Sequence, residues 1–140
     1  KKGIIHMGYC IDLINGENFI IKKENFEKAL EGLKSVFVPE KMPICDALGK
    51  HFSWVCTLSV LESKTLEAAL REIRYAAIID DNGDITGLIF TGEKYGNENI
   101  FFTALAPWVE NGSFLSFRGE DGGKWTWKFN NGMVEVCYLN

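Results

Sequence analysis

Toward the carboxyl end of the chain, apolar and polar residues alternate strictly through residues 114–118, 124–129 and 133–139. Gly119-Glu120-Asp121-Gly122-Gly123 and Asn130-Asn131-Gly132 separate the three runs. A period of two broken by glycine-rich punctuation predicts a three-stranded antiparallel meander. Strand geometry puts Trp125, Trp127 and Phe129 on one face with Leu115, Phe117, Val134, Val136 and Tyr138. Lys124, Thr126 and Lys128 fall on the other, where Arg118 and Lys128 are expected to meet Glu135 across strands. That mixed reverse face reads as a solvated surface or as a rim for a partner.

Earlier in the chain the pattern changes period. Apolar runs at 9–14 and 18–22 flank Asn15-Gly16, which predicts a tight hairpin because both residues tolerate positive φ. Phe26, Ala29, Leu30, Leu33 and Phe37 recur at three and four residues, predicting an amphipathic helix over 24–37. Pro39 and Pro43 bracket an irregular connection, and residues 52–55 read as a short strand. Thr65 is placed to cap a second helix with Leu66, Ala69, Leu70 and Ile73 as its buried stripe. A second hairpin is predicted from Ala77 to Phe90, turning at Asp81-Asn82-Gly83-Asp84. Asn97 is then placed to cap a third helix over 100–109, kinked or cut short by Pro107. The stretches 11–30 and 79–105 both read as hairpin, polar loop and helix, a likeness that either a duplicated ββα unit or turn chemistry alone produces.

Together these elements predict an α+β fold. A mainly antiparallel sheet with a C-terminal three-stranded meander is covered by two to three helices, and a β-barrel-like sheet with peripheral helices is the alternative. The 140 residues suit one domain. Residues 1–6 read as a non-native or untranslated leader ahead of Met7, and 7–140 as a single globular domain.

Composition narrows the function classes. Apolar residues are 46% and aromatics 13%, including ten Phe and four Trp, and each buried ring contributes about 1.5–3 kcal/mol. No apolar run reaches the roughly 20 residues that span a bilayer, so no membrane partner is expected. The net charge of −4 argues against nucleic acid, whose binding depends on neutralising phosphates. Cys10, Cys45, Cys56 and Cys137 are widely spaced, and reduced thiols in the cytoplasm are the expected state.

Each candidate chemistry has a structural competitor. Lys124-Trp125-Thr126-Trp127-Lys128-Phe129 mimics a nucleic-acid platform, but strand geometry separates its cations from its rings, so core packing is preferred. Gly119 to Lys124 lacks the following Ser or Thr and the following helix of a P-loop, and it carries two acids. Asp80, Asp81, Asn82 and Asp84 offer oxygens without the loop length of a calcium hand. His51 and Cys56 lack a third ligand at useful spacing. No catalytic residue, cofactor or metal is therefore expected. The third helix is apolar around most of its circumference through Phe101, Phe102, Ala104, Leu105, Ala106, Trp108 and Val109, which suits the core or a partner face.

Gly119-Glu120-Asp121-Gly122, Trp125-x-Trp127-x-Phe129 and Asn131-Gly132, preceded by Phe101-Phe102-x-Ala104-Leu105-Ala106-Pro107, resemble small uncharacterised proteins of bacteria and their prophages. The resemblance runs from Met7 onward and implies an interaction module, of the kind formed by immunity proteins that block a toxin. It transfers no functional residue. The expectation is a non-enzymatic cytoplasmic protein that occludes a protein partner, with a small-molecule-binding domain or enzyme as the alternative. Glu93, Glu98, Glu120 and Asp121 are the expected interface carboxylates, and Trp54 and Trp108 its aromatic anchors.

Overall fold

The computed structural model describes residues 9–37, 55, 57–94 and 96–139. β1 (Ile11–Asn18) leads through a 3-10 turn at Lys23–Asn25 into α1 (Phe26–Ser35). Two short helices follow, α2 (Thr57–Leu61) and α3 (Leu66–Glu72), then the hairpin β2 (Tyr75–Ile79) and β3 (Ile85–Phe90). α4 (Glu98–Leu105) runs into a 3-10 turn at Ala106–Trp108, and β4 (Ser113–Gly119), β5 (Lys124–Asn130) and β6 (Met133–Leu139) complete the chain. The fold is α+β, with an antiparallel sheet in the order β1-β4-β5-β6 and a separate β2-β3 pair. No helix of the described residues is long and apolar enough to cross a membrane.

The meander forms as its alternation predicts. Phe117 pairs with Trp125 and Leu115 with Trp127, while Trp125 and Trp127 pair with Tyr138 and Val136 on the far side. α4 lies on the apolar face of this sheet, which explains why so much of its circumference is apolar. The Phe102 ring sits 5.4 Å from Trp127, 6.0 Å from Phe129, 6.3 Å from Phe117 and 5.8 Å from Tyr75. Behind α4, α1 buries Ala29, Leu30 and Leu33, and Phe37 beyond its end stacks on Phe101 at 5.7 Å. Most of these partners are far apart in sequence, so the core is built from long-range contacts rather than local propensity.

Helix ends follow their chemistry unevenly. Thr65 Oγ1 accepts the Ala68 N–H at 3.1 Å, the predicted cap of α3. Asn97 occupies the N-cap of α4 but makes no capping bond with its side chain; Glu98 Oε1 takes the Gly96 N–H at 2.8 Å instead. Regular α4 ends at Leu105, two residues before Pro107. α2 is not predicted by the sequence pattern, because five residues with Val60 as their one buried member are too few to display a period.

The predicted Asn15-Gly16 hairpin does not form. Residues 11–18 are one strand, paired with β4 through Leu13↔Phe117 and Asn15↔Ser116, with register shifts on both sides of Asn15. Long-range pairing outweighs the local turn signal here. Gly16 is needed for a close approach: a Cβ there would strike the carbonyl oxygen of Leu88, and a Cβ on Gly87 would lie 2.5 Å from the Gly16 carbonyl. β1 and β3 cross at these two glycines. Their flanks are tied by reciprocal bonds between Ile21 and Ile85, both 3.0 Å, and by Ile11 N–H to Glu93 O at 2.9 Å. The two ββα stretches therefore differ in structure, since only 79–105 opens with a hairpin.

The expected Arg118–Glu135 contact is also replaced. Arg118 reaches Asp12 on β1 at 3.7 Å, while Glu135 lies opposite Lys128 in the β5–β6 register. In the β2–β3 turn, Asp80 Oδ1 accepts the N–H groups of Asn82 and Asp84 at 2.9 and 3.0 Å. Asp84 accepts from Lys23 N at 2.8 Å and faces Lys22 at 3.7 Å. These acids fasten the turn to the segment before α1.

Candidate functional site

Among the described residues, the helices leave part of the apolar face of the sheet open. At the end formed by the β4–β5 loop and the last residues of β6, a cleft of about 490 Å³ opens between Tyr9, Trp125, Trp127 and Tyr138, with Leu139, Asp121 and Lys124 at its margin. Trp125 and Trp127 are each 7% exposed and Trp125 stacks on Phe117 at 6.0 Å, so both indoles serve the core as expected. They also line the cleft, which runs against the sequence reading that gave them to core packing alone. Tyr138, assigned to the covered face, is 75% exposed. Strand alternation gave its side correctly, but its place at the open end of an outer strand leaves it uncovered.

Tyr9 forms one wall and is held there by the β4–β5 loop. Its hydroxyl donates to Asp121 Oδ1 at 2.7 Å, and the same oxygen accepts the Gly123 N–H at 3.0 Å. The ring fits because Gly119 has no side chain; a Cβ there would collide with the phenol oxygen. Burial, then the hydrogen bond to Asp121 and the nearby Asp121 and Glu120 charges, push the phenol pKa up to about 12. Next to it, the Cys10 N–H donates to Glu120 Oε1 at 2.6 Å and Glu120 N–H returns a bond to Cys10 O at 2.9 Å. Desolvation, followed by the Glu120 carboxylate, raises the Cys10 thiol above its ordinary value. A thiol held protonated in this way is a poor nucleophile at neutral pH.

One donor in the site is unsatisfied. Trp127 Nε1 is buried with no hydrogen-bond partner among the described residues. Such groups are rare in folded proteins, because leaving one unpaired costs about 1–3 kcal/mol.

The expected interface residues are distributed unevenly around this cleft. Asp121 lines it and Glu120 braces its wall through Cys10. Glu93 is exposed, and its carbonyl holds Ile11. Glu98 is not an exposed carboxylate: it is 2% exposed, accepts from the Tyr75 hydroxyl at 3.0 Å and from Gly96 N–H, and burial raises its pKa. The apolar cover of α4 and the need to bond the chain entering that helix draw it inward. Trp108 is half-buried, its ring lying where a Cβ of Gly32 on α1 would sit. It therefore packs one helix on another and is not a free anchor. Trp54, like His51, Cys56 and the predicted strand at 52–55 apart from Val55, lies outside the described residues.

Sequence reasoning missed Tyr9, Tyr138 and Leu139 as site residues. The signal available was the Trp–Tyr alternation on one sheet face; the missing fact was which strand is outermost. Among the described residues, no group of three or more His, Cys, Asp or Glu is gathered to hold a metal ion. Comparison with protein-family models, with curated proteins and with solved structures finds no match for this chain.

Proposed function

We propose that the chain is a non-enzymatic cytoplasmic protein-binding domain, an immunity-type or mobile-element protein of bacterial or prophage origin, that occludes a protein partner through the aromatic cleft. The observation that carries this reading is the set of rings at the uncovered end of the sheet. Trp and Tyr are the side chains that most often anchor protein interfaces, because they offer large area for little conformational entropy. Here Trp125 and Trp127 form a rigid floor, while Tyr138 and Leu139 stand 75% and 53% exposed beside it. Asp121 and Lys124 give the margin both charge signs, the polar rim expected around an apolar centre. The thiols of Cys10 and Cys137 suit a reducing compartment.

The test is capture from native lysate by the immobilised full chain and by its Tyr138→Ala/Leu139→Ala variant. Both positions are exposed, so the variant keeps its fold. One protein held by the wild type and released by the variant supports the reading; equal capture by both, or capture of nucleic acid in a salt-dependent manner, removes it.

A second reading is favoured by the volume and aromatic lining of the cleft. A cleft of about 490 Å³ falls in the size range of small-molecule sites. A small ligand that raises the melting temperature of the wild type, with no protein captured, selects this alternative, a ligand-binding domain or an enzyme.

A further inference from the structure

β6 is the outer strand of the four-stranded sheet, with no strand beyond it among the described residues. Its pairing with β5 runs from Asn130↔Met133 to Lys124↔Leu139 without a register shift. β1, on the opposite side, is irregular at two places and tied to β3. Outer strands are normally protected by a bulge, a proline, charged side chains or a covering element, because their free N–H and C=O groups template pairing. Met133-Val134-Glu135-Val136-Cys137-Tyr138-Leu139 has neither bulge nor proline, and its one charge is the exposed Glu135. Instead it exposes Met133 at 69%, Tyr138 at 75% and Leu139 at 53%.

We infer that β6 pairs antiparallel with β6 of a second copy, about a two-fold axis through Val136, joining two four-stranded sheets into one of eight. The sequence of the strand selects this register. In an antiparallel pair, opposed residues share hydrogen-bonding parity, so a two-fold axis must pass through a residue. Centred on Val136, all seven residues find a partner: Met133 faces Leu139, Val134 faces Tyr138, and Glu135 faces Cys137. The exposed apolar residues at the two ends of the strand thus cover each other. Centring on Glu135 would set two carboxylates against each other, which is destabilising. Centring on Cys137 would leave Met133 unopposed and place Glu135 against Leu139. This self-complementarity marks an isologous interface, the commonest kind between identical chains; it shares Tyr138 and Leu139 with the partner reading above, but it is measured on the purified chain alone, so the failure of one is distinguishable from the failure of the other.

Equilibrium sedimentation of the full chain, over rising concentration, reads the association. The wild type is expected to reach twice the chain mass. Met133→Lys/Leu139→Lys sets lysines opposite each other at both ends of the seam and is expected to weaken association by about tenfold or more. Met133→Lys/Leu139→Glu sets lysine against glutamate at the same two places and is expected to restore it. Both sites are exposed, so the fold tolerates either pair. A monomeric wild type, a double-lysine variant that associates as well as the wild type, or a Lys/Glu variant that stays monomeric overturns the inference.

Discussion

Tyr9 donates its hydroxyl to Asp121 at 2.7 Å, joining two residues 112 positions apart and fixing one wall of the aromatic cleft. Burial of the phenol, and then this contact, favour its neutral form. Its proton is held more tightly in the folded chain than in the unfolded one, so its contribution is complete below the ordinary tyrosine value of about 10. It is lost as pH rises toward the folded value of about 12. Spectrophotometric titration is expected to show one phenol ionising late, absent in Tyr9→Phe. Asp121→Asn is expected to bring that step earlier, because it removes a hydrogen-bonded charge while leaving the burial.

Glu98 gives a pH dependence of its own. Burial raises its folded-state proton affinity despite the bonds from Gly96 and Tyr75. Stability from this group is present below the ordinary Glu value and is lost as pH rises through the raised folded value. The melting temperature of Glu98→Gln is therefore expected to gain on the wild type as pH rises through that window. A constant difference between the two across the window would contradict the assignment.

Phe102 is the ring on which four others converge, one each from β2, β4 and two from β5. Phe102→Ala removes the centre of that cluster and is expected to cost about 3–5 kcal/mol in urea unfolding. Tyr138→Ala, at the exposed margin, is expected to cost far less.

Gly16 distinguishes a turn glycine from a close-approach glycine. A turn would accept Asn, which tolerates the left-handed region. At a backbone crossing, any Cβ meets the Leu88 carbonyl. Gly16→Ala and Gly16→Asn are both expected to destabilise by about 1–3 kcal/mol, and a well-tolerated Asn would restore the turn reading.

What the sequence revealed follows from which forces are local. The meander was legible because alternation and glycine punctuation are written residue by residue, and the α3 cap was legible because Thr65 and Ala68 are three apart. Gly16 misled because the atom that constrains it, the Leu88 carbonyl, belongs to another strand. The inward turn of Glu98 likewise depends on Tyr75, which the pattern around α4 does not reveal. For the site, the alternation of Trp125, Trp127 and Tyr138 was visible. That β6 would be outermost, and that Tyr9 would fold against the β4–β5 loop, depended on sheet order and on a contact across nearly the whole chain.

The bracing of the cleft wall has a consequence for how the molecule can be tuned. Tyr9 and Cys10 are fastened by polar contacts to Asp121 and Glu120, whereas the floor rests on stacked rings. Loosening the first set would widen the recess without melting what lies beneath, since local opening draws on the weakest contacts first. The width of the recess and the packing beneath it thus rest on different contacts, one polar and one aromatic.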